Sequence, residues 1–225
     1  MKEEILKKVP LFAELDKLEL SHLAEVAFQK TYLKGSFILF EKEMGSTLSV
    51  ITKGKVKVTV TSEEGKEVIL AVLSEGDFFG DLALLDGKPR SASVVAMEET
   101  ELLNLGRGDF LYELEKNPKL ALTILRTLGT RLRKADRQIE SLALLDVSGR
   151  VARTLLNLAS EQGEKTARGL KIRNRPTHQE IANMSGTTRE TVTRVLGDMQ
   201  KKKLIAVEGD EIYLLEGEAF QESYS

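Results

Sequence analysis

The 225 residues contain no cysteine, which excludes disulfides, thiolate metal sites, iron–sulfur clusters and cysteine nucleophiles. Histidine is nearly absent too. His22 and His178 stand far apart, which argues against a histidine-based zinc site. No apolar run approaches the roughly eighteen residues of a membrane span. The opening MKEEILKKVP mixes acids and bases where a secretory signal would carry an apolar stretch. There is no P-loop, no His–acid–Ser arrangement and no metal-ligand spacing, so nothing supports catalysis. The expectation is a cytoplasmic protein that is not an enzyme and has no contact with a membrane. At 41% hydrophobic residues the chain can build one large domain or two modest ones with real cores.

The net charge of −2 hides an asymmetry. Between Val147 and Val207 there are 12 Lys/Arg against 5 Asp/Glu, whereas the stretch from Glu208 to Ser225 holds 6 acids and no base. A basic block inside an acidic chain is the electrostatic footprint of a nucleic-acid module. A solvated basic face would look the same, so the block needs support from motifs.

Hydrophobic periodicity divides the chain into three. Residues 1 to 30 read as helical. From Tyr32 to about Leu105 the period falls to two, in short runs such as VKVTV and SASVVAM separated by TKG, SEEGKE and DGKP. Strands at that spacing suggest a sandwich or barrel-like roll. After Asn117-Pro118 a helix runs to about Ala143. Its apolar residues Ala121, Leu125, Leu128, Leu132, Ala135, Ile139 and Leu142 alternate steps of four and three, the rhythm of a two-stranded coiled coil. A core helix packed on its own domain is the alternative; the narrowness of the stripe favours a homodimer seam. Near Asp146 the third part begins, with one amphipathic helix ended by Gly163.

Within that third part, Thr177-x-x-Glu180 and Thr187-x-x-Glu190 read as two capping boxes. NMSG, with Gly186 free to take positive φ, supplies a sharp turn between two helices. LIAVEGDEIYLL then reads as a hairpin turning at Glu208-Gly209-Asp210, which makes the unit a winged helix-turn-helix. The second helix carries Arg189, Glu190, Thr193 and Arg194 outward. Arg can bond guanine O6 and N7 together, and Glu can accept from cytosine N4. The competing view is a surface helix with an ordinary Glu190–Arg194 pair.

Three segments, GDFFGDLALLDGKPRSASVVA, LALLDVSGRVARTLLNLA and TRETVTRVL, resemble in order and spacing the cyclic-AMP receptor protein and fumarate–nitrate regulator (CRP/FNR) family of bacterial transcription regulators. The resemblance covers nearly the whole chain. It implies an α+β architecture: a jelly-roll-like β-roll sensor (1–116), a dimerisation helix (117–145) and a winged helix-turn-helix (146–225). It further implies a phosphate site at Arg90 and Ser91 with Ala92 adjoining, and a ribose 2′-hydroxyl held at Gly80 and Asp81 beside Leu82. Free N–H groups at the start of a short helix, Asp81 to Leu85, would complete an anion cradle. Asp81 replaces the family's usual Glu. Ala135 and Asp136 stand where readers of cyclic AMP place Thr and Ser against adenine. An ionised Asp136 could accept from adenine N6 or from the N1/N2 edge of guanine.

Cyclic AMP is therefore the leading effector, with cyclic GMP or cyclic di-GMP a rival and loss of ligand control a further alternative. The absence of cysteine disfavours the haem and iron–sulfur branches, and no metal is expected. On DNA, Arg189, Glu190 and Arg194 match the family's base-reading positions. Thr177, His178, Thr188 and Thr191 are expected beside them, with His178 as a phosphate contact or plain surface. A homodimer on a TGTGA-like palindrome follows from the resemblance, with RNA polymerase as a further partner and activation as the expected mode. A regulatory subunit that borrows a cyclic-nucleotide domain is the rival class; the winged helix counts against it.

Overall fold

A computed structural model describes residues 2–215; of Lys8 only the backbone is described. The chain splits into two compact units between Leu132 and Arg133. In the first, α1 (Lys2–Lys8), a single 3-10 turn (Pro10–Phe12) and α2 (Lys17–Val26) precede the strands. Asp16 starts α2 through a capping box with Glu19. Strand β1 (Phe28–Tyr32) already begins where the sequence reads as helix, because the apolar spacing that suggests a helix stops at Val26. There follow β2 (Phe37–Leu39), β3 (Thr47–Lys53), β4 (Lys55–Thr61), β5 (Glu67–Ser74), β6 (Phe78–Phe79) and the short helix α3 (Asp81–Asp86). Then come β7 (Ser93–Ala96), β8 (Thr100–Gly106), α4 (Arg107–Lys116) and α5 (Pro118–Leu144).

The strands form two antiparallel four-stranded sheets, β1-β8-β3-β6 and β2-β7-β4-β5. Ile51, Val56, Phe79, Val94 and Leu102, drawn from both sheets, make one core. A larger core under the helices joins Phe12, Leu23, Leu48, Val50, Leu103, Leu105, Phe110, Leu120 and Ile124. Each such side chain contributes roughly 1.5–3 kcal/mol by leaving water. In α5, Leu120 and Ile124 are buried and Leu128 packs partly against this core, so the start of the helix is a core helix. Of the stripe expected to be a seam, Leu125, Leu132, Ile139 and Leu142 are each more than half exposed, whereas Leu128 packs partly against this core.

In the second unit, α6 (Val147–Gln162), capped by Asp146, leads to β9 (Gly163–Thr166) and β10 (Gly169–Ile172). Helices α7 (His178–Ser185) and α8 (Arg189–Lys201) follow, then β11 (Ile205–Glu208) and β12 (Glu211–Leu214). The last two pair as the expected hairpin, with Gly209 at φ 58° in the turn. They join β10 and β9 in a sheet of order β11-β12-β10-β9. Val151, Leu155, Ile172, Ile181, Val192, Leu196, Met199 and Ile212 form its core. The end of the expected DNA-binding segment, residues 216–225, lies outside the described residues.

Candidate anion pocket and nucleic-acid interface

Gly80, at φ 86° in the left-handed region, turns β6 into α3, and Gly87 at φ 68° ends that helix. The loop that follows brings Arg90 back under the helix start. Its guanidinium is buried and donates from Nη1 to the Gly80 carbonyl at 2.5 Å and from Nη2 to that of Thr47 at 2.8 Å. The backbone is tied as well: Arg90 N–H donates to Glu43 O, and Lys42 N–H to Arg90 O. A Cβ on Gly80 would lie 2.6 Å from Arg90 Nη1, and one on Gly45 would lie 2.7 Å from Ala83 Cβ and 2.9 Å from Arg90 Cζ. Both glycines are therefore needed for Arg90 to tuck in.

Among the described residues no carboxylate, Asp81 and Asp86 included, lies at ion-pair distance from Arg90. Burial pushes its pKa below the ordinary arginine value, opposed by the nearby charges of Asp81 and Glu43. A buried cation satisfied only by two carbonyls carries a desolvation penalty of several kcal/mol that an arriving anion would offset. Ser91 is exposed next to it, Ala92 half-buried and Leu82 exposed.

Asp81 is engaged elsewhere. Its side chain is almost fully buried, and both oxygens accept from Arg131 Nη1, at 2.9 and 3.1 Å. Arg131 Nη2 donates to the Phe78 carbonyl at 2.5 Å, and its guanidinium lies over the Phe78 ring, 5.0 Å from the centroid. Arg131 belongs to none of the motifs in the sequence. Nothing local marks it, since its partners are 50 and 53 residues away. Ala135 and Asp136 are exposed on α5 in the second unit.

The helix-turn-helix is built on its caps. Thr177 caps α7 and completes the expected box with Glu180. Gly186, at φ 64°, closes the helix, and Thr187 N–H donates to Ala182 O. Thr187 is thereby spent on the end of α7. The cap of α8 is Thr188, whose hydroxyl accepts from Thr191 N–H, and the second box expected at Thr187 and Glu190 does not form. From α6, Arg150 Nε donates to Ser185 O at 3.0 Å and Thr154 shares a hydrogen bond with the Ser185 hydroxyl, which fixes the turn.

Buried Ala182 allows α7 and α8 to cross closely, with Val192, Val195, Leu196 and Met199 facing inward. Arg189, Glu190, Thr193 and Arg194 are exposed together at the start and middle of α8. No ion pair joins Glu190 to Arg194 among the described residues. Glu190 stays ionised, its pKa lowered by its own backbone N–H and by Thr188.

Residues 29–117 match the cyclic nucleotide-binding domain family, and residues 149–223 the Crp-like helix-turn-helix domain family. A cyclic AMP receptor protein of Thermus thermophilus is 36% identical over 96% of this chain and 99% of its own length. The chain belongs to the CRP/FNR family. Another CRP/FNR relative, a cAMP-activated global transcriptional regulator of Pasteurella multocida, is 39% identical over 80% of this chain and 87% of its own. Among solved structures, a CooA mutant from Carboxydothermus hydrogenoformans has a TM-score of 0.80 at 26% identity, covering 91% of this chain and 90% of that one. The CRP/FNR regulator described here is thus a cyclic-nucleotide-responsive transcription regulator with a DNA-binding helix-turn-helix domain, and its relatives are named as transcription regulators rather than enzymes. Among the described residues no helix is long and apolar enough to cross a membrane.

Proposed function

We propose that cyclic AMP is the effector of this regulator and that it switches a homodimer onto a palindrome of TGTGA-like half-sites, from which RNA polymerase is engaged. The observation that carries the reading is the buried Arg90 guanidinium, which has carbonyl partners but no carboxylate, beside exposed Ser91. The cyclic phosphate would sit on Arg90 and Ser91. The ribose 2′-hydroxyl would donate to Asp81, whose carboxylate Arg131 already holds in place. The names of the Thermus and Pasteurella relatives support adenine as the base. A guanine cyclic nucleotide is the second reading, since an ionised Asp136 is an acceptor that suits N1–H and N2–H together.

The functional parts are the sensor 1–116, the dimerisation helix 117–145, whose exposed Leu125, Leu132, Ala135, Ile139 and Leu142 would meet a second copy, and the DNA-binding segment 146–225. In the liganded dimer the two recognition helices would stand about 34 Å apart, one turn of DNA. The ligand can favour that arrangement only through a difference in its affinity for the two states.

Calorimetry with cyclic AMP, cyclic GMP and cyclic di-GMP on the purified protein and on Arg90→Ala tests the reading. The expectation is heat with cyclic AMP, lost in the variant, together with ligand-dependent binding to the palindrome. Unchanged ligand-dependent DNA affinity in Arg90→Ala would refute the pocket.

A further inference from the structure

His178 is the first residue of α7, half-buried at the seam between the two helices of the DNA-binding motif. Its Nδ1 lies 2.8 Å from the Thr193 hydroxyl, on the exposed face of α8 between Arg189 and Arg194. That hydroxyl already donates to Arg189 O at 3.0 Å, so it must accept from the ring, and Nδ1 carries the proton. On the other side, Arg175 Nη1 lies 3.4 Å from Nε2, which in this tautomer is an acceptor. A neutral imidazole therefore bridges the loop before α7 to the recognition helix. The cations facing the ring are Arg175 from that loop and Arg189 from α8. The carboxylate on its own helix, Glu180, is bonded to the N–H and hydroxyl of Thr177. Among the described residues no carboxylate pairs with His178, Arg175 or Arg189.

We propose that DNA binding by this chain takes up one proton, at His178, so that the ring becomes a phosphate-pairing cation on the duplex and a neutral bracket for Thr193 off it. The physical argument is a balance of fields. In the free protein, burial lowers the pKa of the ring, and the charges of Arg175 and Arg189 lower it further. Phosphates brought against the same face neutralise the two guanidinium groups and reward a third positive charge. Protonation turns Nε2 into a donor, so Arg175 is released from the ring and is itself free to meet a phosphate. The bound pKa then lies above the free one. The added affinity is fully present below the free pKa and is lost as pH rises through the bound pKa. Glu190, held well ionised, does not titrate in that window.

The inference rests on DNA binding but on no particular effector or target, so the test uses a random-sequence duplex and the full chain, at pH 6 and pH 8 over a range of salt. The wild type is expected to bind roughly five- to tenfold more tightly at pH 6, within the limit of about tenfold per pH unit for one linked proton. Its plot of log Kobs against log salt should be steeper at pH 6 by about 0.9, the increment for one more neutralised phosphate.

His178→Asn keeps an N–H for Thr193 but has no proton to gain, and should abolish both differences. His178→Arg, with a permanent charge, should be steep and tight at both pH values. His22→Gln, in the first unit, should behave as wild type. Proton uptake should appear in the wild type as a binding enthalpy that varies with the ionisation enthalpy of the buffer. Equal pH dependence in wild type and His178→Asn would overturn the inference while leaving DNA binding intact. No binding to any duplex at either pH would overturn both.

Discussion

Truncating Arg131 to alanine should cost the first unit more stability than truncating its partner Asp81. Arg131 makes three N–H bonds, two to the Asp81 carboxylate and one to Phe78 O, and covers the Phe78 ring. The side chains differ sharply in exposure, 33% for Arg131 against 2% for Asp81. In Arg131→Ala the carboxylate stays largely buried without its partner. Breaking a fully buried pair this way costs about 3–5 kcal/mol. Because Arg131 is a third exposed and its removal admits some solvent, about 2–3 kcal/mol is expected. In Asp81→Ala the freed guanidinium keeps Phe78 O and can turn toward water, so about 1–2 kcal/mol should be lost. Calorimetric unfolding of the two variants and of the double variant, analysed as a cycle, measures the difference and the coupling. The reasoning fails if Arg131→Ala is no less stable than Asp81→Ala, or if the double variant is worse than the sum of the two.

Gly80→Ala places a methyl 2.6 Å from Arg90 Nη1 on a backbone at φ 86°, so it should expel the guanidinium and lower stability by about 1–3 kcal/mol. Equilibrium dialysis with cyclic AMP should find binding lost; retained binding would show that Arg90 need not be tucked. Arg189→Ala should weaken binding to the specific palindrome by about 1–3 kcal/mol and relax preference at one guanine. Equal losses on specific and random DNA, measured by gel shift, would contradict base reading.

Much of the DNA-binding face is local chemistry and was legible as such. The Thr177–Glu180 box, Gly186 at positive φ and the four-three rhythm of α5 are relations within a few residues, where backbone geometry alone decides who meets whom. Even here one position slipped: Thr187 reads as a cap, yet its N–H goes back to Ala182, leaving the cap to Thr188. The pocket was legible only as a list of residues. Arg90 and Asp81 were both expected as ligand contacts, and neither Gly45 nor Arg131 carries any local mark.

The sequence by itself determined the order of the modules, the cap of α7, the wing and the outward set on α8, because spacing along one chain fixes the face on which each side chain stands. Only the tertiary structure decided which charges meet. Arg131 reaches back 50 residues to Asp81, Arg90 spans 43 to the Thr47 carbonyl, and His178 finds Thr193 across a helix crossing. Such pairs depend on where whole elements come to rest, and burial decides their strength: the same guanidinium that would be a solvated charge on the surface carries a desolvation cost when it is buried.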